Sequence, residues 1–471
     1  MNWYIEEQTG NPTAPAALLP TPGYRVISTA ADGVGARAHF AQDGREWAIE
    51  SDTLYEITSA GTWLTVNKGL VLLDSKPATI SSNGDGGGQL FITSGNNGYI
   101  LDIATNSLSQ VTALDGLCTM GAHMDGYFIA LDAATSTVYT SELYDGLTWN
   151  TGTAFAERSA ASDPWVSMWV LNGAYLWLFG TETSEIWYNE GTLPFPFAPH
   201  PSGRGVPYGI AAPFSASEIQ GRLFWLGRTA TGSGMVLSTS GFSPERISTP
   251  TVELAIQSVA ADEATADAYD QAGHTFYMLQ FPRSSSWCYD ATSGQWHERG
   301  TWDGALGDFT RTRARFHAFA FGRHRWLDLE SGDLYLADIN LGTDIDDIPL
   351  RRLRRAPALT FQNQRIYYAA LELQLDVGLG VVPPAQGSDP QVQMRYSNDA
   401  GRNWGPWAMR TCGATGEFAQ RVRWNRCGAG RKRVFEVAVS DPTPWRLVDA
   451  FLELGQRPSG MSQAQAVAWE G

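Results

Sequence analysis

The sequence predicts an all-β protein: a β-propeller of about seven blades, with six as the alternative, followed by a C-terminal β-sandwich. Short aromatic and β-branched runs alternate with turn residues along most of the chain, which is typical of repeated antiparallel strands. The 49 Gly and 24 Pro suit such a chain, because tight turns need a positive or a preset φ. The last quarter of the chain changes to longer alternating strands, which favours a separate sandwich.

The repeated pattern is clearest in residues 125–150, DGYFIALDAATSTVYTSELYDGLTWN. Asp125-Gly126 is a tight-turn dipeptide, residues 127–131 form an aromatic and β-branched run, and residues 137–142 alternate as a half-buried strand does. Looser copies of this strand–turn–strand pattern recur along the chain. We therefore interpret most of the protein as one repeated β-sheet unit.

Residues 1–23 are expected to form an N-terminal arm, because residues 11–22 contain four prolines; residues 2–6 could pair as an edge strand. The propeller is expected over residues 24–342. Its first unit, residues 35–67, breaks into four strands separated by turn residues, as a propeller blade does. Further units begin near residues 78, 120, 166, 214 and 266. The segment 313–338 contains only three strands, so the lone strand 24–29 is expected to close the ring.

One helix and one change of composition interrupt the strands. Thr249 is a suitable N-cap and Pro250 a suitable first helical residue, which predicts a surface helix through Ala261. Residues 343–356, which are rich in Asp and Arg, are expected to be a linker. Residues 357–455 are the expected sandwich, with strands at 365–377, 391–397, 417–424, 431–439 and 445–454. Residues 456–471 are expected to be a flexible tail.

Charge is distributed unevenly over the chain. The net charge is −16; residues 351–471 carry 15 Arg and Lys432 against 10 acids, or +6, so residues 1–350 carry −22. An acidic body argues against a protein that grips nucleic acid. The four Cys show no metal-site or disulfide-framework spacing. Residues 1–4 resemble no signal peptide and no run has membrane-spanning length, so we expect a soluble protein.

Several long stretches resemble one known family, the packaged-DNA stabilisation proteins of short-tailed bacteriophages, also called tail accessory or nozzle proteins. The stretches are residues 125–150, 176–189 (LWLFGTETSEIWYN), 224–228, 241–249 (GFSPERIST), 275–282 (TFYMLQFP), 287–300 (WCYDATSGQWHERG) and 421–437 (RVRWNRCGAGRKRVFEV). The resemblance extends from about residue 2 to residue 454. Members of this family usually carry more residues before the segment that begins at Asn2.

The resemblance implies a homohexameric ring in the virion tail, assembled in the bacterial host cytoplasm, that retains packaged DNA and forms the channel for its ejection. The implied partners are further copies of the chain, the head-to-tail connector or adaptor, and other tail proteins such as a needle, spike or fibre. Double-stranded DNA would pass through the lumen without sequence-specific binding. An acidic inner wall would let it slide, because a negative wall repels phosphate.

An Asp-box hairpin is predicted at residues 397–404, SNDAGRNW. Asp399 can accept backbone N–H bonds within the turn, Gly401 can adopt a positive φ, and Trp404 can fold back over the hairpin that Ser397 begins. Sialidase-type propellers contain this motif. A single copy outside the propeller repeats predicts a structural hairpin rather than a catalytic site.

Arg351, Arg352, Arg354 and Arg355 are the candidate interface residues. Their simplest role is to neutralise the nearby Asp344, Asp346 and Asp347 in surface pairs, each worth about 0 to 1 kcal/mol. Four Arg within five residues exceed what three acids need, and forked guanidinium groups suit ordered carboxylates. We therefore favour a contact with the next subunit or with the adjoining ring.

No coherent catalytic, metal or cofactor set is predicted. The Gly-rich residues 83–88 lead into a strand rather than a helix, so a flexible hairpin is expected instead of a phosphate cradle. The Asp residues at 344–347 lack an EF-hand pattern, and the seven His show no metal-ligand spacing. Glu142, Asp145 and Glu157 flank one loop, and paired carboxylates could in principle cleave glycosides.

Three functions therefore remain open from the sequence. The favoured one is a non-enzymatic structural component of a phage tail. The alternatives are a propeller that binds a receptor or a surface glycan through Trp-rich loops and, with less support, a sialidase-like glycosidase.

Overall fold

The computed structural model describes residues 1–7, 16–31, 35–67, 71, 74, 76–158, 161–203, 205–282, 284 and 286–455. The chain divides into two compact units. The first contains Met1–Arg25, His297–Phe309 and Asp338–Gly471; the second contains Val26–Trp296 and Thr310–Ala337. The expected tail at residues 456–471 lies outside the described residues.

Seven antiparallel sheets of four or five strands make up the described part of the propeller region. The first three sheets along the chain are β4 (Ala36–Gln42), β5 (Arg45–Glu50), β6 (Thr53–Ile57) and β7 (Trp63–Asn67); β8 (Thr79–Ser82), β9 (Gln89–Ser94), β10 (Asn97–Asp102) and β11 (Ser107–Val111); and β12 (Met120–Met124), β13 (Tyr127–Asp132), β14 (Thr137–Glu142), β15 (Asp145–Trp149) and β16 (Phe155–Glu157). The fourth and fifth sheets are β17 (Trp165–Leu171), β18 (Tyr175–Gly180), β19 (Ser184–Asn189) and β20 (Phe197–Pro199); and β21 (Gly209–Ile210), β22 (Ser217–Ile219), β23 (Arg222–Thr229), β24 (Gly232–Ser240) and β25 (Ser243–Arg246). The sixth sheet is β26 (Thr265–Gln271), β27 (His274–Gln280), β28 (Ser286–Asp290) and β29 (Gln295–Arg299), and the seventh is β32 (Ala314–Ala320), β33 (Arg323–Asp328), β34 (Asp333–Asp338) and the N-terminal β3 (Gly23–Thr29).

The turns and the core explain why these strands form. Asp43-Gly44 and Asp125-Gly126 have positive φ at both residues (51° and 74°; 51° and 84°), which is the conformation that two-residue hairpin turns need. The second or third strand of each sheet is buried on both faces, as in β13, whose Phe128 and Ile129 are both fully buried. Each sheet is therefore covered on both sides by its neighbours.

The seven sheets contact each other in cyclic order. Contacts between β4 and β8, β8 and β12, β12 and β17, β18 and β21, β22 and β26, and β26 and β32 connect one sheet with the next, and β32 returns to β4. The seventh sheet has the order β3-β34-β33-β32. The N-terminal strand thus supplies the strand that the last repeat lacks, and the predicted seven-bladed propeller with this closure is confirmed.

Two short helices lie among the strands, α1 (Gly84–Gly87) and α2 (Pro250–Gln257). Thr249 caps α2, accepting a hydrogen bond from the Val252 N–H at 3.4 Å, but the helix ends before the predicted Ala261. The hairpin expected at residues 83–88 is present, because β8 pairs antiparallel with β9, and α1 forms a single helical turn within its loop. Single 3₁₀ turns occupy Thr112–Leu114, Ala261–Glu263 and Ile345–Asp347.

The first unit contains two larger sheets and one hairpin, as predicted for a C-terminal β-sandwich. The strands are β1 (Trp3–Glu7), β2 (Ala16–Pro20), β30 (Thr301–Asp303), β31 (Asp308–Thr310), β35 (Arg352–Arg355), β36 (Ile366–Leu375), β37 (Gln391–Ser397), β38 (Ala408–Thr411), β39 (Val422–Gly430), β40 (Val434–Val439) and β41 (Leu447–Leu454). The two sheets have the orders β1-β2-β41-β36-β39 and β35-β40-β37-β38, and β30 pairs with β31. One apolar core joins the two sheets, with Trp3, Tyr368, Trp424 and Phe435 among its buried residues.

Two segments differ from their sequence-based descriptions. Residues of the expected arm form β1 and β2 of the five-stranded sheet, and β1 lies at its edge. Asn2 holds the start of this strand: its buried side chain donates to the carbonyls of Gly300 (2.8 Å) and Arg351 (2.9 Å). The expected linker contains β35, which pairs with β40. The edge strand expected at residues 2–6 is confirmed, whereas the pairing of β2 with β41 and of β35 with β40 was missed because those partner strands are distant in the sequence.

Candidate functional site

The four candidate Arg residues occupy different environments. Arg351 and Arg352 are buried, whereas Arg354 and Arg355 are exposed. Burial lowers the pKa of Arg352 to about 10, and the neighbouring Asp344 opposes this shift. Burial also raises the pKa of Asp344 to about 6. The sequence suggested four equivalent surface residues, but two of them, Arg351 directly before β35 and Arg352 at its start, are buried.

An alternating stack of three Arg and three Trp residues lies in the first unit. Its order is Trp302, Arg351, Trp407, Arg395, Trp404 and Arg355. Successive distances from guanidinium carbon to ring centroid are 4.5, 5.1, 4.4, 4.8 and 5.0 Å. A cation over an aromatic face is attracted by about 0.5 to 2 kcal/mol, depending on its desolvation. The stack therefore connects three segments that are far apart in the sequence.

A buried carboxylate orders one end of this Arg/Trp stack. Glu436 accepts hydrogen bonds from Nε of Arg355 (2.8 Å) and from Nε of Arg395 (2.6 Å), and its side chain is fully buried. Planar guanidinium groups can donate to a carboxylate and stack on a ring at the same time. Arg355 thus has an intramolecular role, and the interface function of this cluster remains a prediction that falls mainly on Arg354.

Sequence reasoning missed the Arg/Trp stack, although one signal was present. Trp404 and Trp407 flank Gly405-Pro406 directly after the predicted hairpin. Two Trp rings three residues apart can both stack on guanidinium groups, so the Arg residues of this region that exceed the nearby acids could have been assigned to them.

The Asp-box residues meet in one turn. The Ser397 hydroxyl donates to Asp399 (2.6 Å), which also accepts from the backbone N–H groups of Arg402 (3.0 Å) and Asn403 (2.9 Å). These hydrogen bonds hold the pKa of Asp399 well below its usual range. Gly401 has φ 92° and lies close to the Trp404 ring. The carboxylate is used within its own hairpin, which favours the structural interpretation.

The loop carboxylates give no support to a glycosidase. Glu142 and Asp145 face each other across a turn, and Asp145 accepts from the Leu147 N–H (3.0 Å) and the Thr148 hydroxyl (2.7 Å). Glu157 lies at the other end of β14, opposite Thr137. Among the described residues, no group of three His, Cys, Asp or Glu is arranged to hold a metal ion.

The propeller contains a cavity of about 710 Å³, which lies near the starts of β8, β12, β17, β26 and β32. Charges of both signs line it, from Lys76, Arg311 and Arg315 to Asp262 and Glu263. Arg311 pairs with Glu330 at 2.8 Å, and burial lowers the pKa of Arg315 to about 10. A second cavity of about 540 Å³ is lined by His39, Tyr269, His317 and His324, among others.

A buried charge network joins the first and last propeller sheets. Glu46 on β5 accepts a hydrogen bond from Arg325 of β33 (2.6 Å) and pairs with His39 of β4 (2.7 Å). The other ring nitrogen of His39 lies 2.9 Å from the Phe316 carbonyl oxygen on β32. Paired buried charges fix a geometry, because either one alone would be strongly unfavourable. This network fixes the geometry of the contact between the first sheet and the last one, whose outer strand is β3.

No helix in the described part of the chain is long and apolar enough to cross a membrane. No curated protein sequence matches the chain. Solved structures that resemble it include the extracellular domain of the one-component system BT4673 from B. thetaiotaomicron, at 12% identity and a TM-score of 0.46 over 89% of this chain. The chain spans only 58% of that structure.

Two further similar structures are single domains, of which the second is described as a β-propeller. The N-terminal domain of Nup159 is 10% identical, with a TM-score of 0.41 over 67% of this chain and 95% of that domain. The Cps50 (Swd1) β-propeller domain of Myceliophteria thermophila is 9% identical, with a TM-score of 0.42 over 66% of this chain and 98% of that domain. At these values the similarities say nothing about ligands or partners.

Family models give a more specific result. A phage-stabilisation model described as the β-propeller of bacteriophage P22 Gp10 matches residues 5–338, and a model described as the β-sandwich of the same protein matches residues 351–455. The two matches follow each other along the chain and cover both sheet architectures. The chain therefore belongs to the bacteriophage P22 Gp10 family, whose members are structural tail and DNA-stabilisation components of the virion.

Proposed function

We propose that this chain is a subunit of a homohexameric tail ring that lies below the head-to-tail connector, retains packaged DNA and forms the channel for its ejection. The observation that carries this proposal is the match of both domains, in order, to one phage-stabilisation family. The ring would contact the connector or adaptor protein on one side and other tail proteins on the other. Its role would be mechanical and electrostatic rather than enzymatic.

The charge of the chain supports a channel whose wall does not bind DNA. Residues 1–350 carry a net charge of −22. An acidic wall repels the phosphate backbone, so duplex DNA could slide along it during ejection. Tight binding of duplex DNA by the isolated ring at physiological salt would contradict this part of the proposal.

Electron microscopy of the purified chain, together with a mass measurement in solution, tests the assembly. We expect a closed ring of six copies around a channel wide enough for duplex DNA. A chain that stays monomeric at every concentration, or that forms open filaments, would overturn the proposed ring.

A further inference from the structure

An exposed apolar surface lies on one loop of the third propeller sheet. Leu143, Tyr144 and Leu147 are 50%, 48% and 52% exposed, and all three belong to the hairpin that joins β14 to β15. Large apolar side chains that cluster on a surface mark interaction sites more often than isolated ones do. This hairpin is therefore a candidate contact for another macromolecule.

The hairpin is held in one conformation by its neighbours. The Tyr144 N–H donates to the Gly126 carbonyl (2.8 Å), and the Gly146 N–H donates to Oε1 of Gln89 (2.8 Å). Gly146 is buried so closely against Ile100 and Phe128 that a Cβ could not fit there. A surface that is already ordered loses little conformational entropy when a partner binds.

Four acidic residues surround these apolar side chains. Glu142 and Asp145 flank the turn itself, Asp125 precedes the glycine that contacts Leu143 and Tyr144, and Asp85 precedes the glycine under the Tyr144 ring. None of the four has an ion-pair partner among the described residues. We call Leu143, Tyr144 and Leu147 with these four acids the loop surface. A partner of the loop surface must carry positive charge where it faces these four acids.

The first unit carries a basic surface, whose charge is opposite to that of the loop surface. It consists of Arg365, Arg402, Arg431 and Lys432, which are all exposed. Backbone contacts bring them together: the Ala400 N–H donates to the Lys432 carbonyl (3.2 Å), and Ile366 pairs with Gly430. In the described part of the chain none of the four is ion-paired. Four unneutralised cations at one end of a sandwich attract an acidic partner.

We propose that the loop surface of one copy docks on the basic surface of the next copy. The two surfaces have opposite charge, and a second copy supplies both in equal number. Such an interface is heterologous, since two different patches meet, and heterologous interfaces close into rings when the rotation allows. The inference rests on the proposed ring and assigns its subunit contact. The loop surface, being acidic, is unsuited to DNA, which makes a basic protein surface its natural partner.

Complementary charge reversal tests this docking in the full-length chain. One variant reverses the basic surface (R365E/R402E/R431E/K432E), and the other reverses the loop surface (D85K/D125K/E142K). Each variant alone should need at least about tenfold more protein to form rings, because like charges then face each other. Mixed in equal amounts, the two should assemble again, since rings that alternate them contain only complementary contacts.

The matched control is D43K/D115K/E157K, which changes the same net charge elsewhere on the propeller. Asp43 occupies the same turn position as Asp125, with φ 51° at both residues, so the control also matches the local strain. It should assemble as the wild-type chain does. A fourth variant, L143S/L147S, should also weaken assembly, but no charge-reversed partner should restore it.

Several results would overturn the docking. If both reversed variants form rings at wild-type concentrations, the interface lies elsewhere and the proposed function stands. If each fails alone and the mixture also fails, charge complementarity between these surfaces is wrong. If the R365E/R402E/R431E/K432E variant assembles normally but loses affinity for duplex DNA, the basic surface is a phosphate contact. A wild-type chain that never forms rings would overturn both the docking and the proposed function.

Discussion

Glu50 shows at the residue scale how strongly this fold can perturb one side chain. It is fully buried on β5, and neither carboxylate oxygen has a hydrogen-bond partner among the described residues. Burial, together with the negative charges of Asp328 and Asp333, raises its pKa to about 9. The carboxyl group is therefore protonated in the folded chain at neutral pH. In the unfolded chain it would titrate near its ordinary value of about 4.3.

This shift predicts a pH dependence of stability with a definite sign. The folded state binds the proton between pH 4.5 and about 9 whereas the unfolded state does not, so the free energy of unfolding falls as pH rises through this window. Glu50→Gln keeps the shape without the titration. It should raise the free energy of unfolding at pH 8 by on the order of 2 to 4 kcal/mol and change it little at pH 4.

Urea unfolding of the wild-type and Glu50→Gln chains between pH 4 and pH 8 measures this effect. Glu56→Gln is the control, because Arg45 lowers the pKa of Glu56, and that variant should instead lose stability at neutral pH. Parallel curves for the wild type and Glu50→Gln would show that Glu50 is not the protonated group.

At the scale of elements, the Arg/Trp stack orders the C-terminal sandwich. Arg395 lies at its middle, 4.4 Å from the Trp407 ring and 4.8 Å from the Trp404 ring, and it also donates to Glu436. Lys would retain the charge but lose the planar fork and the stacking. Arg395→Lys should therefore destabilise the unit by about 1 to 3 kcal/mol.

Chemical unfolding monitored by Trp fluorescence checks this value, and Arg410→Lys is the control because Arg410 is exposed and outside the stack. A double-mutant cycle of Arg395→Lys with Trp407→Leu should give a coupling of about 1 kcal/mol. Additive effects of the two substitutions would mean that the stacked geometry contributes no stability.

The sequence predicted elements where local chemistry decides them. Asp-Gly turns and alternating runs located the four-strand units, and Thr249-Pro250 located the start of α2. The segment β35 was interpreted as a linker because its Arg residues look solvated in isolation. Arg351, directly before β35, is instead buried against Trp302 and Trp407, which lie 49 and 56 positions from it in the chain. Contacts over such separations leave no periodic signal.

The candidate site was less predictable than the fold for the same reason. The Asp-box could be predicted because the hydrogen bonds that the Asp399 carboxylate accepts all come from within seven residues, Ser397 to Asn403. The network of His39, Glu46 and Arg325 could not, since it joins strands from opposite ends of the propeller sequence. The residues of a turn motif are neighbours in the sequence, whereas a buried charge network forms only when the whole propeller closes.

At the scale of the whole molecule, one chain combines an acidic propeller region with a basic sandwich region. The number of propeller sheets followed from counting repeats, and the closing strand followed from the one strand that the last repeat lacked. Assembly, by contrast, depends on contacts between surfaces, and a single sequence does not show which surfaces contact each other. The loop surface and the basic surface became visible only when exposure and ion pairing were known for each residue.

Retention of packaged DNA is the measurement that tests the central claim most directly. Phage heads that have been filled with DNA but assembled without this chain should release their DNA, so that nuclease degrades it. Addition of the purified chain should restore nuclease protection, whereas the R365E/R402E/R431E/K432E variant should restore much less. Heads that keep their DNA protected in the absence of the chain would contradict the account.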